Sequence, residues 1–496
     1  MPTVKQQPVK SLGRMYSGSL NDRHKGVDVH KEADEGLVKI DNTNLPGKFK
    51  VWCLQFALYP RLQWPLMLYE IALTRVERIE QRCNVFIRKW LGLPKMITTC
   101  ALYKNGGPLE LPIPSIAELY KCGKVRTTLM LQQSNDEVIR SNPPELKTGR
   151  KWRAIEETEK FISILEHGDI VGATQTNTSG LGSTQFKSFK DMTKKERTVS
   201  IVSQVAKEEK NARFLKLVQC SQQGQCVSWQ DKAMDRIIKW SDFWKWDPAR
   251  ISFLIRAVYD MLPSPANLVR WKISENEKCR CGKKGTMRHI LSNCPLGLER
   301  RYTWRHNRVL RVLHSAIRDK IDSINQGKKP QITFRKKIAF CKEGTFQKPK
   351  PKKTKDSPEW EGKWELSVDL GSDFFFPLPT RKKPDMVIWS EDRKIVKLIE
   401  LTIPWETNFD EAWIRKDERY EELVNQCEDS GWSAKCLPIE IGVRGFVGHR
   451  VYALLKDLGF SPKELKDLTS KLQETVEKAS FYIWLKRDDE NWTQDT

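Results

Sequence analysis

The chain has 496 residues, 39% of them hydrophobic and 18 of them Trp, which is too long for one typical domain and enough for two to four with real cores. Lysine and arginine number 86 against 63 acids, and the resulting net charge of +23 favours a polyanionic partner, nucleic acid first and an anionic membrane surface second. No run of about 18 charge-free apolar residues exists, so no membrane span is expected, and MPTVKQQPVKSLGR lacks the apolar core of a secretory signal, so the 12 Cys read as reduced thiols and metal ligands rather than disulfides.

Residues 1–45 are polar and aperiodic and read as a poorly ordered leader. Residues 46–165 read as helical. The most apolar stretch there, VWCLQFALYPRLQWPLMLYEIAL, is broken by Pro60, Arg61 and Pro65. Val76, Ile79, Cys83, Phe86, Ile87 and Trp90 then recur at helical spacing, and the stripe stops at Gly92–Pro94, a helix end. The Gly, Ser and Thr of VGATQTNTSGLGST mark a linker over 166–210. Residues 211–325 are helical again, with Trp229, Trp240, Trp244 and Trp246 read as core.

Within that third region residues 279–294 read CRCGKKGTMRHILSNC. Cys279, Cys281, His289 and Cys294 are spaced C-x-C-x7-H-x4-C, and three thiolates with one imidazole form a tetrahedral set for zinc. Gly282 and Gly285 allow the tight return behind the first two ligands. A zinc ion would nucleate a segment too small to fold alone. The competing reading is a reduced Cys pair beside a surface His. Five Arg follow on a basic helix, Arg300, Arg301, Arg305, Arg308 and Arg311, and Arg305 and Arg308 are taken as nucleic-acid contacts.

The character changes over 326–496. Residues 335–355 hold nine Lys or Arg and read as a flexible basic loop. Beyond it WELSVDL, PDMVIW, KIVKLIELTI and LPIEIGV read as short strands interleaved with helices, an α/β domain. Ser461 and Glu464 form a capping box for a last helix along Leu465, Leu468, Leu472 and Val476.

Two of those strands flank the polar turn SEDRK. A hairpin turning tightly on Asp392 and Arg393 pairs Trp389 with Val396, Val387 with Leu398 and Asp385 with Glu400. Opposed residues on one sheet face have Cβ atoms about 4.5–5.5 Å apart. Two carboxylates that close repel unless a cation lies between them, and Mg²⁺, or Mn²⁺ in its place, is the natural one. Thr402, on the same face, supplies no positive charge. The following helix does: its inward stripe is Phe409, Trp413, Lys416, Tyr420, Leu423 and Cys427, and Lys416 is its one charge. The bland alternatives are a surface hairpin with two unrelated acids and a Lys that snorkels to the helix edge.

At these residues the chain resembles a known family. PD-x14-ELTIPWE, then RK…RYEEL and PIEIGVRGF, is similar to the restriction-like endonuclease of site-targeting non-LTR retrotransposons, a PD-(D/E)XK nuclease. CxCG…T..HIL..C followed by YTWRHNRVL resembles the zinc knuckle that precedes that nuclease. FKVWCLQFALYPRLQWPLMLYE with RKWLGLP and ELPIPS resembles the thumb-like segment after the reverse transcriptase palm, so the likeness spans roughly residues 40–485. The resemblance implies a mainly α N-terminal half, a small zinc knuckle at 279–294 and a C-terminal restriction-like endonuclease domain over 326–496. It implies that Asp385 and Glu400 bind the catalytic Mg²⁺ and that the nuclease Lys has moved to the next helix, as Lys416. Arg419 occupies a second basic position, as a phosphate contact or a substitute for Lys416, and Lys382 and Lys383 are further basic positions for a phosphate backbone. No F/Y-x-D-D motif is present, so reverse transcription is not carried over.

The expected partner is double-stranded target DNA, with element RNA as a second nucleic acid and no membrane; oligomeric state is not read. A DNA target places the protein in the nucleus, or otherwise the cytoplasm. The expected activity is Mg²⁺-dependent nicking whose 3′ hydroxyl, in a full element, primes reverse transcription. The alternatives are a zinc-dependent nucleic-acid-binding protein that does not cleave and an inactive remnant of an element.

Overall fold

Helical spacing dominates the first half of the sequence, and the computed structural model folds it accordingly. The structure describes residues 7–489 and 492, apart from 12–13, 17–21, 105, 172–173, 178–179, 184–187, 328–330, 334–353, 357–359, 361 and 372–373. The chain divides into two compact units, Met1–Gly224 with Ile237–Ser252 and Gln225–Arg236 with Phe253–Thr496. No helix among the described residues is long and apolar enough to cross a membrane.

The first unit is built on helices α1 (Arg23–Asp41), α2 (Leu73–Trp90), α3 (Ile116–Gln132), α4 (Ala154–Val171) and α5 (Lys194–Val218). All six residues of the stripe in α2 are buried, and Gly92, at φ +62°, turns the chain out of the helix. α1 packs on α2, and α3 contacts α2, α4 and α5.

Two boundaries differ from the sequence reading. The stretch 1–45, expected to be poorly ordered, contains α1. Its buried stripe is only Gly26, Val29, Ala33 and Leu37, too narrow and too small to show as an amphipathic helix in composition. The stretch 166–210, expected as a linker, holds the start of α5. A capping box between Thr193 and Glu196 opens that helix, while Ile201, Val202 and Val205 bury its inner face. Within the Gly/Ser/Thr run, Thr174–Asn177 and Gly180–Ser183 pair antiparallel. Of the basic loop, residues 335–353 lie outside the described residues.

The second unit centres on a four-stranded sheet. Its strands are β1 (Glu365–Val368), β2 (Met386–Ser390), β3 (Ile395–Thr402) and β4 (Ser433–Glu440), in the order β4-β3-β2-β1. β1, β2 and β3 run antiparallel, and β4 joins β3 parallel. The parallel pair needs a crossover, supplied by helix α7 (Phe409–Asp429). Helix α6 (Thr303–Asn325) precedes the sheet, and α8 (His449–Asp457) and α9 (Pro462–Leu485) follow it.

Both faces of the sheet are covered, which explains why β2 and β3 read as near-continuous apolar runs. Met386, Ile388, Ile399 and Leu401 enter a core with Leu313 and Ile317 of α6, Leu455 of α8 and Leu472 of α9. Val387, Trp389, Val396 and Leu398 point the other way, onto Tyr420, Leu423 and Cys427 of α7. The hairpin keeps the register read from sequence, with Trp389 opposite Val396 and Val387 opposite Leu398. Its loop is longer than expected: the ladder ends at Ser390–Ile395, and Lys394 adopts φ +50° to close it.

A buried ion pair ties the two ends of the α7 crossover. Glu406, just ahead of α7, accepts from the Arg444 main-chain nitrogen at 2.8 Å and from Arg444 Nε at 2.7 Å. The Arg444 guanidinium lies between the Trp405 and Trp229 rings, 4.0 and 4.7 Å from their centroids. Gly442 is required here, because a Cβ on it would meet the Glu406 side chain at 2.3 Å.

The Cys/His segment and α6 belong to the same unit as the sheet, although sequence placed them in a separate region over 211–325. Met287, Ile290 and Leu291 share one core with Val443, Ile483 and Trp484, so the short segment obtains its apolar support from the α/β domain.

Candidate functional site

The Cys/His segment folds back on itself through a bridge between Lys278 and Lys284, with Gly282 at φ +82°. His289 opens a π-helical turn, His289–Asn293, that carries the chain to Cys294. Cys279 Sγ lies 3.8 Å from Cys294 Sγ, and Cys281 Sγ lies 3.1 Å from His289 Nε2. The four donor atoms all fall within 4.8 Å of one another, a group that can hold a metal such as zinc. The four residues read from sequence are therefore brought together. Purified protein is expected to carry close to one zinc per chain, and Cys281→Ser to lose most of it, measured by metal analysis after dialysis. Unchanged zinc content in that variant would sink the assignment.

A second constellation forms where β2 begins. Asp385 stands just before the strand, and its main-chain nitrogen donates to Glu400 Oε2 at 3.1 Å. Asp385 Oδ2 accepts from the Leu401 main-chain nitrogen at 2.7 Å. The two carboxylates are thus held on facing strands, as the register demands. Lys416 reaches down from α7 and pairs with Glu400 Oε1. It does so because the α7 stripe faces the sheet: Phe409, Tyr420, Leu423 and Cys427 are buried, and Lys416 falls between them, only 17% exposed. Burial raises the Glu400 pKa, and the negative charge of Asp385 adds to this, while Lys416 opposes both. Two acids and one ammonium, partly shielded from water, make a site that gains from a cation between the acids. Their two carboxylates do not fill a coordination shell, and water, phosphate or main-chain oxygen would supply the rest.

His306 was not singled out by the sequence, since a His beside Arg305 on a basic helix has no distinctive spacing. It projects from the first turn of α6 and places Nε2 3.1 Å from both Asp385 Oδ2 and the Leu401 carbonyl oxygen. Burial works against its charged form, but the hydrogen bond and charge of Asp385 outweigh it, and its pKa is raised. His306 and Lys416 line a cleft together with Leu401, Thr402 and Asn408, and Arg288 and Arg415 are exposed at its rim.

The remaining basic positions divide. Arg305 is a correction: it is 2% exposed, with Nη1 donating to the Leu291 carbonyl and to Ser480 Oγ, so it fastens α6 to its neighbours and does not face a phosphate. Arg308 is exposed and lies over the Trp304 ring. Lys382 pairs with Glu422 at 2.6 Å and donates to the Arg419 carbonyl at 3.2 Å. Arg419 and Lys383 are exposed beside Tyr420, whose hydroxyl donates to the Lys383 carbonyl. Arg419, Lys382 and Lys383 thus gather on one patch.

Glu440 was also missed. It stands opposite Thr402 in the β3–β4 register, is fully buried, and neither carboxylate oxygen accepts a hydrogen bond among the described residues. Arg450 approaches Oε2 to 3.4 Å. Burial lifts its pKa to about 7, against the pull of Arg450. The folded state therefore holds a proton that the unfolded chain releases near its ordinary value of 4.5, and stability falls as pH rises between these values. The full penalty, about 3 kcal/mol, is present above pH 7. Glu440→Gln is expected to raise the melting temperature at pH 8 and leave it nearly unchanged at pH 4.5. A variant no more stable at pH 8 would overturn this account.

No protein-family model matches the chain, and no curated protein matches it.

Proposed function

We propose that the protein is a metal-dependent endonuclease that nicks double-stranded DNA, with the restriction-like domain of non-LTR retrotransposons as its relative. One observation carries this reading: Asp385 and Glu400 face each other across a strand pair, and Lys416 of the next helix lies on Glu400. The motif spacing of the sequence supports it independently.

In this reading Asp385 and Glu400 would hold Mg²⁺, which when bound would supply Lewis acidity for phosphodiester hydrolysis. Arg288 and Arg415, exposed at the cleft rim, draw the phosphate backbone toward the acids. Lys416 favours the ionised form of Glu400 against burial and the charge of Asp385, and presents its ammonium to charge developing on the phosphate. The Cys/His group, loaded with zinc, braces the segment that contributes Arg288. A net charge of +23 makes DNA binding strongly salt-dependent whatever the chemistry, so binding alone does not test the reading.

Full-length protein is expected to convert supercoiled plasmid to open circles with Mg²⁺ and to stop on chelation. Tight DNA binding without nicking, in zinc-loaded protein and over a range of Mg²⁺ and Mn²⁺ concentrations, would instead favour the non-cleaving nucleic-acid-binding protein.

A further inference from the structure

The contact between His306 and Asp385 carries more than a structural hydrogen bond requires. Nε2 faces two oxygens, Asp385 Oδ2 and the Leu401 carbonyl, each at 3.1 Å. The other ring nitrogen, Nδ1, lies 3.2 Å from Asn307 Oδ1. If Nδ1 donates its proton to Asn307, Nε2 presents a lone pair, and three electron-rich atoms then converge on one point. That arrangement needs either a proton on Nε2 or a cation among the three, and a bound cation would take the place of the proton that otherwise joins Nε2 to the two oxygens. A ring N–H directed outward to an oxygen, leaving the other nitrogen bare, is the usual orientation of a metal-bound His. The two separations from Nε2 fit as well. With bonds of about 2.1 Å, neighbouring ligands of an octahedral ion stand about 3 Å apart.

The position of His306 is not incidental. Arg305, its neighbour, is fixed by Leu291 and Ser480, and Val309, Leu310 and Leu313 bury the inner face of α6. The side chain is 23% exposed, so the ring reaches the cleft without being free in solvent.

Resting on the nuclease reading above, we infer that His306 Nε2 is a third protein side-chain ligand of the metal centre at Asp385 and Glu400. A nitrogen ligand changes which ion suits the site. Mg²⁺ is a hard ion that takes oxygen, whereas first-row transition ions accept imidazole together with carboxylate. The centre is therefore selective for an ion such as Mn²⁺ over Mg²⁺, and His306 is the residue that sets the preference.

The test uses zinc-loaded full-length protein and Mn²⁺ itself as probe, with no DNA and no turnover. Calorimetric titration of Mn²⁺ and Mg²⁺ is paired with pulsed electron paramagnetic resonance of bound Mn²⁺, which detects a directly bonded ¹⁴N. Wild-type protein is expected to show nitrogen coupling. His306→Ala is expected to weaken Mn²⁺ binding about tenfold or more while Mg²⁺ affinity changes far less. His306→Asn keeps an amide that can bond to Asp385 and Leu401, guarding against simple misfolding, and is expected to lose the nitrogen coupling. Retained coupling in His306→Asn, or unchanged Mn²⁺ affinity in both variants, overturns the inference. Asp385→Ala separates it from its premise. Loss of Mn²⁺ binding in Asp385→Ala without any effect of His306 removes only the third ligand. Mn²⁺ binding indifferent to Asp385 removes the metal centre as well.

Discussion

Asp385→Ala is expected to lower the rate of Mg²⁺-dependent plasmid nicking by about 10³-fold or more, equivalent to about 4 kcal/mol of barrier. Glu400 is already held by Lys416 and by the Asp385 main-chain nitrogen, and that nitrogen survives the substitution. Lys416→Ala is expected to lose about 10²–10³-fold, by two routes that can be told apart. The ammonium is gone, and Glu400, only 3% exposed, is left without its cation. Its pKa, already raised by burial and by Asp385, then rises further, because Lys416 is the group that opposes both. Glu400 then releases its proton at a higher pH than in the wild type, so part of the Lys416→Ala loss should return as pH increases. The Asp385→Ala loss should not. Single-turnover rates on one supercoiled substrate between pH 6 and pH 9 measure both, and an Asp385→Ala protein that nicks like wild type would falsify the catalytic assignment.

The second large effect concerns stability. Arg444→Ala is expected to destabilise the second unit by about 3–5 kcal/mol, because it strands a buried Glu406 without its cation. At the size of this unit that corresponds to a fall in melting temperature of roughly 10 °C. The substitution also empties the space between Trp229 and Trp405. The charge contribution is separable from the packing contribution. Arg444→Met fills much of the volume but still leaves Glu406 unpaired, and should remain strongly destabilised. Arg444→Met combined with Glu406→Met removes both charges and should recover much of the loss. Equal melting temperatures for the single and double Met variants would show that packing, not the stranded charge, is responsible.

Some of this architecture was legible in the residues themselves. The register of the β2–β3 hairpin follows from alternation, since slipping it by one would turn Val387 and Leu398 off their shared face. Lys416 was legible because one charge in an otherwise apolar stripe has few places to go. The Cys/His quartet was legible because four ligands within sixteen residues need only a local fold. What escaped depends on long-range packing. His306 meets Asp385 across 79 positions of sequence, and no local period encodes that. Arg305 looked like its exposed neighbours and differs because the Leu291 carbonyl and Ser480, far along the chain, lie opposite. Glu440 sits in a strand segment whose polar residue could as well have faced solvent. α1 escaped because three small apolar residues on one narrow stripe suffice to bury it on α2.

The Cys/His segment shares its core with the α/β domain, and this has a thermodynamic consequence. Leu291 lies three residues before Cys294, its carbonyl holds Arg305, and Arg305 is followed at once by His306, which touches Asp385. An ion that stiffened the Cys279–Cys294 loop would, through these contacts, narrow the positions open to His306. Coupling of this kind is reciprocal by linkage. Whatever factor zinc contributes to the affinity of a cation at Asp385, that cation returns to zinc in equal measure. The two metal centres would then fill as partners, and each would report on the occupancy of the other.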